Sequence, residues 1–110
     1  MEPEEPGIKV EYGLDTTYVT FNDVSILESG YIEKLKQLLT PIVAKTKNGK
    51  LVLNFANVQS FSSAMLGLLL IIHKRMREQE GNMEIWNLNQ NIQKVFEITQ
   101  LTKIFNIQNN

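Results

Sequence analysis

The sequence has no cysteine and a single histidine. Disulfides and thiol chemistry are excluded, and so are the Cys- and His-rich sites that hold zinc or iron–sulfur clusters. An excess of one charge is also missing. Eleven basic residues stand against 12 acidic ones, for a net charge of −1, and no basic cluster stands out. Nonspecific nucleic-acid binding needs a positive surface and is not expected. The apolar run Met65 to Ile72 is far short of the about 20 residues that span a bilayer. Nothing at the N-terminus resembles a signal peptide, so a cytoplasmic protein without membrane association is expected. No Gly-rich loop of the phosphate-cradling kind is present. The central strand ends in Asn54-Phe55-Ala56-Asn57, without the clustered carboxylates of a phospho-receiver site. Ser63 and His73 could be paired on paper as nucleophile and base, but ten residues of helix set them about 15 Å apart, out of reach. No enzymatic activity, cofactor or metal is expected.

What is present is organised around residues 50–77. Leu51 to Phe55 is short, β-prone and apolar, as in a strand buried on both faces. Ser62 and Ser63 then precede a long apolar helical run. Serine is a favoured N-cap because its oxygen accepts a bond from a free N–H of the first turn. The positive end of such a helix favours anions, phosphate included.

The chain is long enough for one domain with its own core. Residues 1–7 read as a flexible acidic tail punctuated by proline. Ile8–Tyr12 and Thr16–Phe21 alternate apolar and polar residues and predict an antiparallel hairpin. Asn22 to Ser25 reads as a loop. A helix is predicted from about Ser29-Gly30, with Tyr31, Ile32, Leu35, Leu38, Leu39 and Ile42 on one stripe. Pro41 should kink its last turn or end it near Thr40. The central strand, a helix over about 63–79 and a strand over 83–88 make a βαβ unit, so its two strands should be parallel. Asn89 can cap a short helix carrying Ile92, Val95 and Phe96. Leu101, Ile104, Phe105 and Ile107 should pack back as a short helix or edge strand.

Helical phase gives the central helix two apolar faces. Leu66, Leu69, Ile72 and Met76 should meet the sheet, so Leu53, Leu66, Leu69, Ile72, Ile85 and Phe96 are the predicted core. Ala64, Leu68 and Ile71 fall on the other side, beside Gly67. An apolar strip on the outer face calls for a cover, either residues 101–107 or a partner. His73 reads as a core or boundary residue, Trp86 as a strand residue at the sheet margin, and Lys74, Arg75, Arg77 and Glu78 as a solvated face.

Leu51-Val52-Leu53-Asn54-Phe55, Val58, Phe61-Ser62-Ser63-Ala64-Met65-Leu66-Gly67-Leu68-Leu69, Lys74-Arg75 and Gly81 together resemble the STAS domain, the family of bacterial anti-sigma factor antagonists. Residues 95–105 are similar to that family's final helical segment. The resemblance spans roughly residues 8–107, and residues 8–110 are expected to form one such domain. It implies an α/β fold, a mixed four- to five-stranded sheet flanked by helices. It further implies a regulatory binding protein whose acceptor serine is phosphorylated by a partner, an anti-sigma factor with serine kinase activity, and restored by a serine phosphatase. The acceptor falls on Ser63. The docking surface falls on Ser62, Ser63, Ala64, Met65, Gly67, Leu68 and Ile71. The sequence departs from the family pattern at Ser62, which stands where the family has Asp, at Ala64 in place of a second hydroxyl, and at Met65 in place of Gly. Ser25 also stands where a second acidic residue is usual. A second reading therefore stays open: the serines serve only as an N-cap, in a scaffold or nucleotide-binding module with no switch.

Overall fold

The computed structural model describes residues 7–108. The chain runs β1 (Ile8–Tyr12), β2 (Thr16–Phe21), β3 (Ser25–Ile26), α1 (Ser29–Lys45), β4 (Lys50–Asn54), β5 (Ser60–Phe61), α2 (Ser63–Glu78), β6 (Asn82–Trp86), α3 (Gln90–Ile98), a 3₁₀ turn (Leu101–Lys103) and β7 (Asn106–Gln108). Five strands form one sheet in the order β1-β2-β4-β6-β7, and β3 and β5 form a separate two-stranded sheet. The predicted hairpin is present, with Val10 opposite Val19 in an antiparallel pair. β4 lies parallel between β2 and β6, with Leu53 opposite Val19 on one side and opposite Ile85 on the other. The βαβ reading therefore holds: α2 links two adjacent parallel strands. The closing segment takes both of its predicted forms, a 3₁₀ turn and then an edge strand parallel to β6. The predicted strand over 83–88 is set one to two residues earlier, at Asn82–Trp86.

Strand side chains alternate between the two faces of the sheet. Val19, Phe21, Leu51, Leu53, Met83 and Ile85 share a single core cluster with residues of all three helices, so the helices cover one face. Phe21 stacks on Phe55 at 4.7 Å between ring centroids, and Phe61 bridges Phe55 and Phe96. The other face carries no helix residue of that cluster. There Val52 is fully buried, and the rings of Tyr18 and Trp86, from the flanking strands, meet edge to face at 5.7 Å. Trp86 Nε1 donates to Glu84 Oε1 at 2.9 Å, and Lys50 Nζ lies 2.9 Å from Glu84 Oε2. The carboxylate thus holds a ladder of side chains across the face away from the helices.

Several expectations are corrected. α1 passes through Pro41 and ends only at Lys45. Pro41 and Gln37 are both exposed, so the carbonyl that loses its N–H partner faces water and the helix continues. Leu38 and Val95 lie outside the buried stripes of their helices, at about 40% exposure. Residues 22–25 are not simply a loop, because Ser25 begins β3. Within the expected tail, residues 1–6 lie outside the described residues. Gly7 is held: its N–H lies 3.3 Å from Asp23 Oδ2, and its carbonyl accepts from Asn22 N at 3.0 Å.

The phase of α2 is the largest correction. The arc facing the sheet is Met65, Leu68, Leu69, Ile72 and Met76. Leu68 is 4% exposed and Met65 is fully buried, whereas Leu66 is half-buried at the edge of the core. Every residue from 64 to 72 is apolar or glycine, so the run itself gives no direction to the helix. The outer strip exists, but it is Ala64, Gly67 and Ile71 without Leu68.

Candidate functional site: the start of the central helix

β4 ends at Asn54, whose side chain organises the turn out of the strand. Its Oδ1 accepts from Ala56 N at 3.0 Å and from Asn87 Nδ2 at 3.1 Å. This is an Asx turn, the local bond that lets asparagine redirect a chain. Asn89 Nδ2 donates to the Gln59 carbonyl at 2.6 Å, while Asn89 Oδ1 caps α3 by accepting from Ile92 N at 2.9 Å. The expected cap at Asn89 is therefore present, and the same residue clamps the loop in front of α2.

The short β5 is held from its other side by β3. Gln59 N donates to the Val24 carbonyl at 2.8 Å, Ser62 N donates to the Ile26 carbonyl at 3.0 Å, and the Ser25 and Ser60 hydroxyls lie 3.1 Å apart. Phe61 anchors the loop in the aromatic cluster below. The entry to α2 is thus fixed by backbone pairing and by packing.

Ser62 occupies the N-cap position with extended backbone, yet its side chain makes no cap bond. The amide that a capping hydroxyl would take, Met65 N, bonds instead to the Ser62 carbonyl at 3.0 Å. Ser62 Oγ is buried and has no hydrogen-bond partner among the described residues. Ser63, the first residue of the helix, is exposed, as is Ala64. Gly67 has open space where a Cβ would sit, and Ile71 is 40% exposed. Ser63, Ala64, Gly67 and Ile71 therefore lie on one accessible strip running from the positive end of the helix. Met65 and Leu68, both assigned to the docking surface from sequence, belong to the core beneath it.

No acidic residue stands in the first turn of α2. The acid across the loop is Asp23, whose carboxylate accepts from the Tyr31 hydroxyl. Val24 and Leu27 bracket β3 and are each 54% exposed, so apolar surface flanks the serine strip. Sequence reasoning missed these two, since a two-residue strand has no periodicity to read. His73 sits half-buried farther along α2, its ring edge-on to Phe105 at 5.4 Å, as expected of a boundary residue. Burial, and then the nearby Arg77 charge, lower its pKa below the usual imidazole value. Among the described residues no group of three or more His, Cys, Asp and Glu could hold a metal ion, and no helix is long and apolar enough to cross a membrane.

Comparison with known proteins supplies a context for this geometry. A family model described as the STAS domain matches residues 14–110. A Bordetella bronchiseptica protein named as an anti-sigma factor antagonist, BtrV, is 29% identical over 84 residues, covering 76% of this chain and 72% of its own. A Thermotoga maritima structure assigned as an anti-sigma factor antagonist superposes with a TM-score of 0.82 at 20% identity, covering 94% of this chain and 86% of that one. The Bacillus cell-fate determinant SpoIIAA, in its phosphorylated form, superposes with a TM-score of 0.72 at 14% identity, covering 94% and 91%.

Proposed function

The chain belongs to the STAS-domain family, and on that premise we propose that it is an anti-sigma factor antagonist switched by phosphorylation of Ser63. The unphosphorylated protein binds a kinase-type anti-sigma factor through the strip Ser63, Ala64, Gly67 and Ile71. That partner transfers the γ-phosphoryl group of ATP to Ser63 Oγ, and the hydroxyl proton passes to a base of the kinase. Hydrolysis by a serine phosphatase restores the free hydroxyl.

One observation carries this reading: of two adjacent serines, Ser63 is exposed and Ser62 has its hydroxyl buried. A kinase can reach the first and not the second. The phosphate adds about −1.5 to −2 charges. The free N–H groups and dipole of α2 favour an anion there, by typically about 0.3–1 kcal/mol, so the fold has no reason to melt. The effect falls on the partner, which must desolvate or repel a dianion at the edge of an apolar contact. The switch is then a masking of surface without refolding. SpoIIAA, of the same fold, has been solved in both phosphorylated and unphosphorylated forms, which supports a modification compatible with this architecture.

The lack of any carboxylate in the first turn of α2 favours the other reading, a constitutive scaffold or nucleotide-binding module. Phosphosite mapping separates the two. The full chain is incubated with its cognate kinase and ATP and then analysed by mass spectrometry. Phosphate on Ser63 and none in Ser63→Ala is the expected result. Phosphate on Ser62, or on neither serine, overturns the switch.

A further inference from the structure

The far end of α2 faces a second feature, which the serine strip does not use. A groove of about 740 Å³ opens where α2 ends and where β4 and β6 begin. Its charged and titratable lining is Lys50, His73, Arg77, Glu80, Glu84 and Lys103. Arg77 lies fourteen residues along the helix from Ser63, about 21 Å away at 1.5 Å per residue, so the two ends are separate sites.

These groups are not equivalent. Glu84 is engaged at both oxygens, by Lys50 and by the Trp86 indole, which leaves that pair neutral as a unit. Lys103 Nζ donates to the Gln100 amide oxygen at 3.2 Å. Arg77 forms no ion pair within 4 Å among the described residues. His73 is held near neutral form by burial and by Arg77. Three cations against two carboxylates give the groove a net charge of +1, in a chain whose net charge is −1. Beside them Met76 and Met83 lie buried at 0% and 6% exposure, and Ile104, 46% exposed, supplies the accessible apolar surface. The rest of the lining is polar, so charge decides what the groove takes. An Arg fork matches a carboxylate in two parallel bonds, and one negative charge balances the groove.

We infer that the groove between the end of α2, the start of β6 and the 3₁₀ turn binds a small monocarboxylate with a short apolar arm, its carboxylate held by Arg77 and Lys103 and its arm lying on Ile104. The site is independent of the switch at Ser63.

The test uses the full chain and sodium hexanoate at constant ionic strength, followed by NMR at the His73 imidazole. The chain has one histidine, so that signal is unambiguous. A saturable shift is expected, with a dissociation constant on the order of 1 mM, together with a rise in the His73 pKa as the carboxylate arrives. Arg77→Gln and Lys103→Gln should each weaken binding at least about tenfold, a loss of about 1.4 kcal/mol. Lys94→Gln, on the exposed side of α3, should not. Acetate, which lacks the arm, should bind more weakly than hexanoate. Both substituted side chains are on the surface, and Lys103→Gln keeps the test available if Arg77→Gln fails to fold. A shift that does not saturate, saturation unchanged in the variants, or equal affinity for acetate and hexanoate overturns the proposal.

Discussion

Ser62 and Ser63 are consecutive, yet the hydroxyl of Ser62 is buried without a hydrogen-bond partner among the described residues while Ser63 is exposed at the first position of α2. The difference arises from how the chain enters the helix. Ser62 N is drawn to the Ile26 carbonyl and the Ser62 carbonyl accepts from Met65 N, so its side chain turns inward and the next one turns out. Ser62→Ala should therefore cost little stability, and the loss of an unsatisfied buried oxygen can even be favourable. Urea unfolding of Ser62→Ala should give a midpoint at or above that of the parent. A loss above about 2 kcal/mol would mean that the hydroxyl has a partner.

Leu68 and Ile71 separate the two faces of α2. Leu68→Asp places a carboxylate among Met65, Leu69 and Ile72 and should destabilise by more than about 3 kcal/mol, or prevent folding. Ile71→Asp changes an exposed site and should stay within about 0.5 kcal/mol of the parent. It should nonetheless weaken capture of the partner. Denaturant unfolding measures the first two outcomes, and a pull-down with the anti-sigma factor measures the third.

Gly67 and Gly81 should respond to alanine with opposite signs. A Cβ on Gly67 would meet nothing within 4 Å, and the residue is inside a helix, so Gly67→Ala should stabilise by roughly 0.5–1 kcal/mol. A Cβ on Gly81 would lie 2.9 Å from the Gly49 carbonyl oxygen and 2.6 Å from Met76 Cε. The chain passes the Gly49 backbone, just before β4, too closely for a side chain there, and Gly81→Ala should lower the melting temperature. Thermal unfolding of the two variants side by side checks both signs.

Stability should fall as the solution is made acidic, in two steps. The His73 pKa is lowered in the folded protein, so its contribution is complete above the unfolded value near about 6.5 and is lost as pH drops through the folded value. The Glu84 pKa is lowered by the Trp86 hydrogen bond first and then by Lys50. Its contribution is present above the unfolded value near about 4.3 and is lost as pH falls through the folded one. His73→Gln should flatten the upper step and Glu84→Gln the lower one, in denaturant midpoints measured from pH 8 to pH 3.

The parts of the fold legible in sequence were those with their own periodicity or chemistry. The hairpin alternates, the central strand and helix differ sharply in length and composition, and Asn89 announces its cap. The phase of α2 was not legible, because an unbroken apolar run from Ala64 to Ile72 lets several helical faces look alike. Only burial in the shared core, which also holds Leu53 and Ile85, selects Met65 and Leu68 over Leu66. β3 and β5 were invisible because two-residue strands exist through the backbone bonds of Val24 and Ile26, not through side-chain pattern. Pro41 misled because its cost depends on whether the freed carbonyl meets water. Within the candidate site, the serine pair and the Ala64, Gly67 and Ile71 part of the outer strip were readable, but the burial of Leu68 was not, and the opposite exposure of Ser62 and Ser63 depends on β3.

The affinity of the purified kinase-type anti-sigma factor for three forms of this chain, measured by isothermal titration calorimetry, tests the switch at Ser63 most directly. Ser63→Ala should bind like the unmodified protein. The Ser63-phosphorylated protein should bind at least about tenfold more weakly, a difference of about 1.4 kcal/mol, with Ser63→Asp displaced in the same direction. Circular dichroism of all three should coincide. Equal affinities for the phosphorylated and unphosphorylated proteins would contradict a switch at this serine.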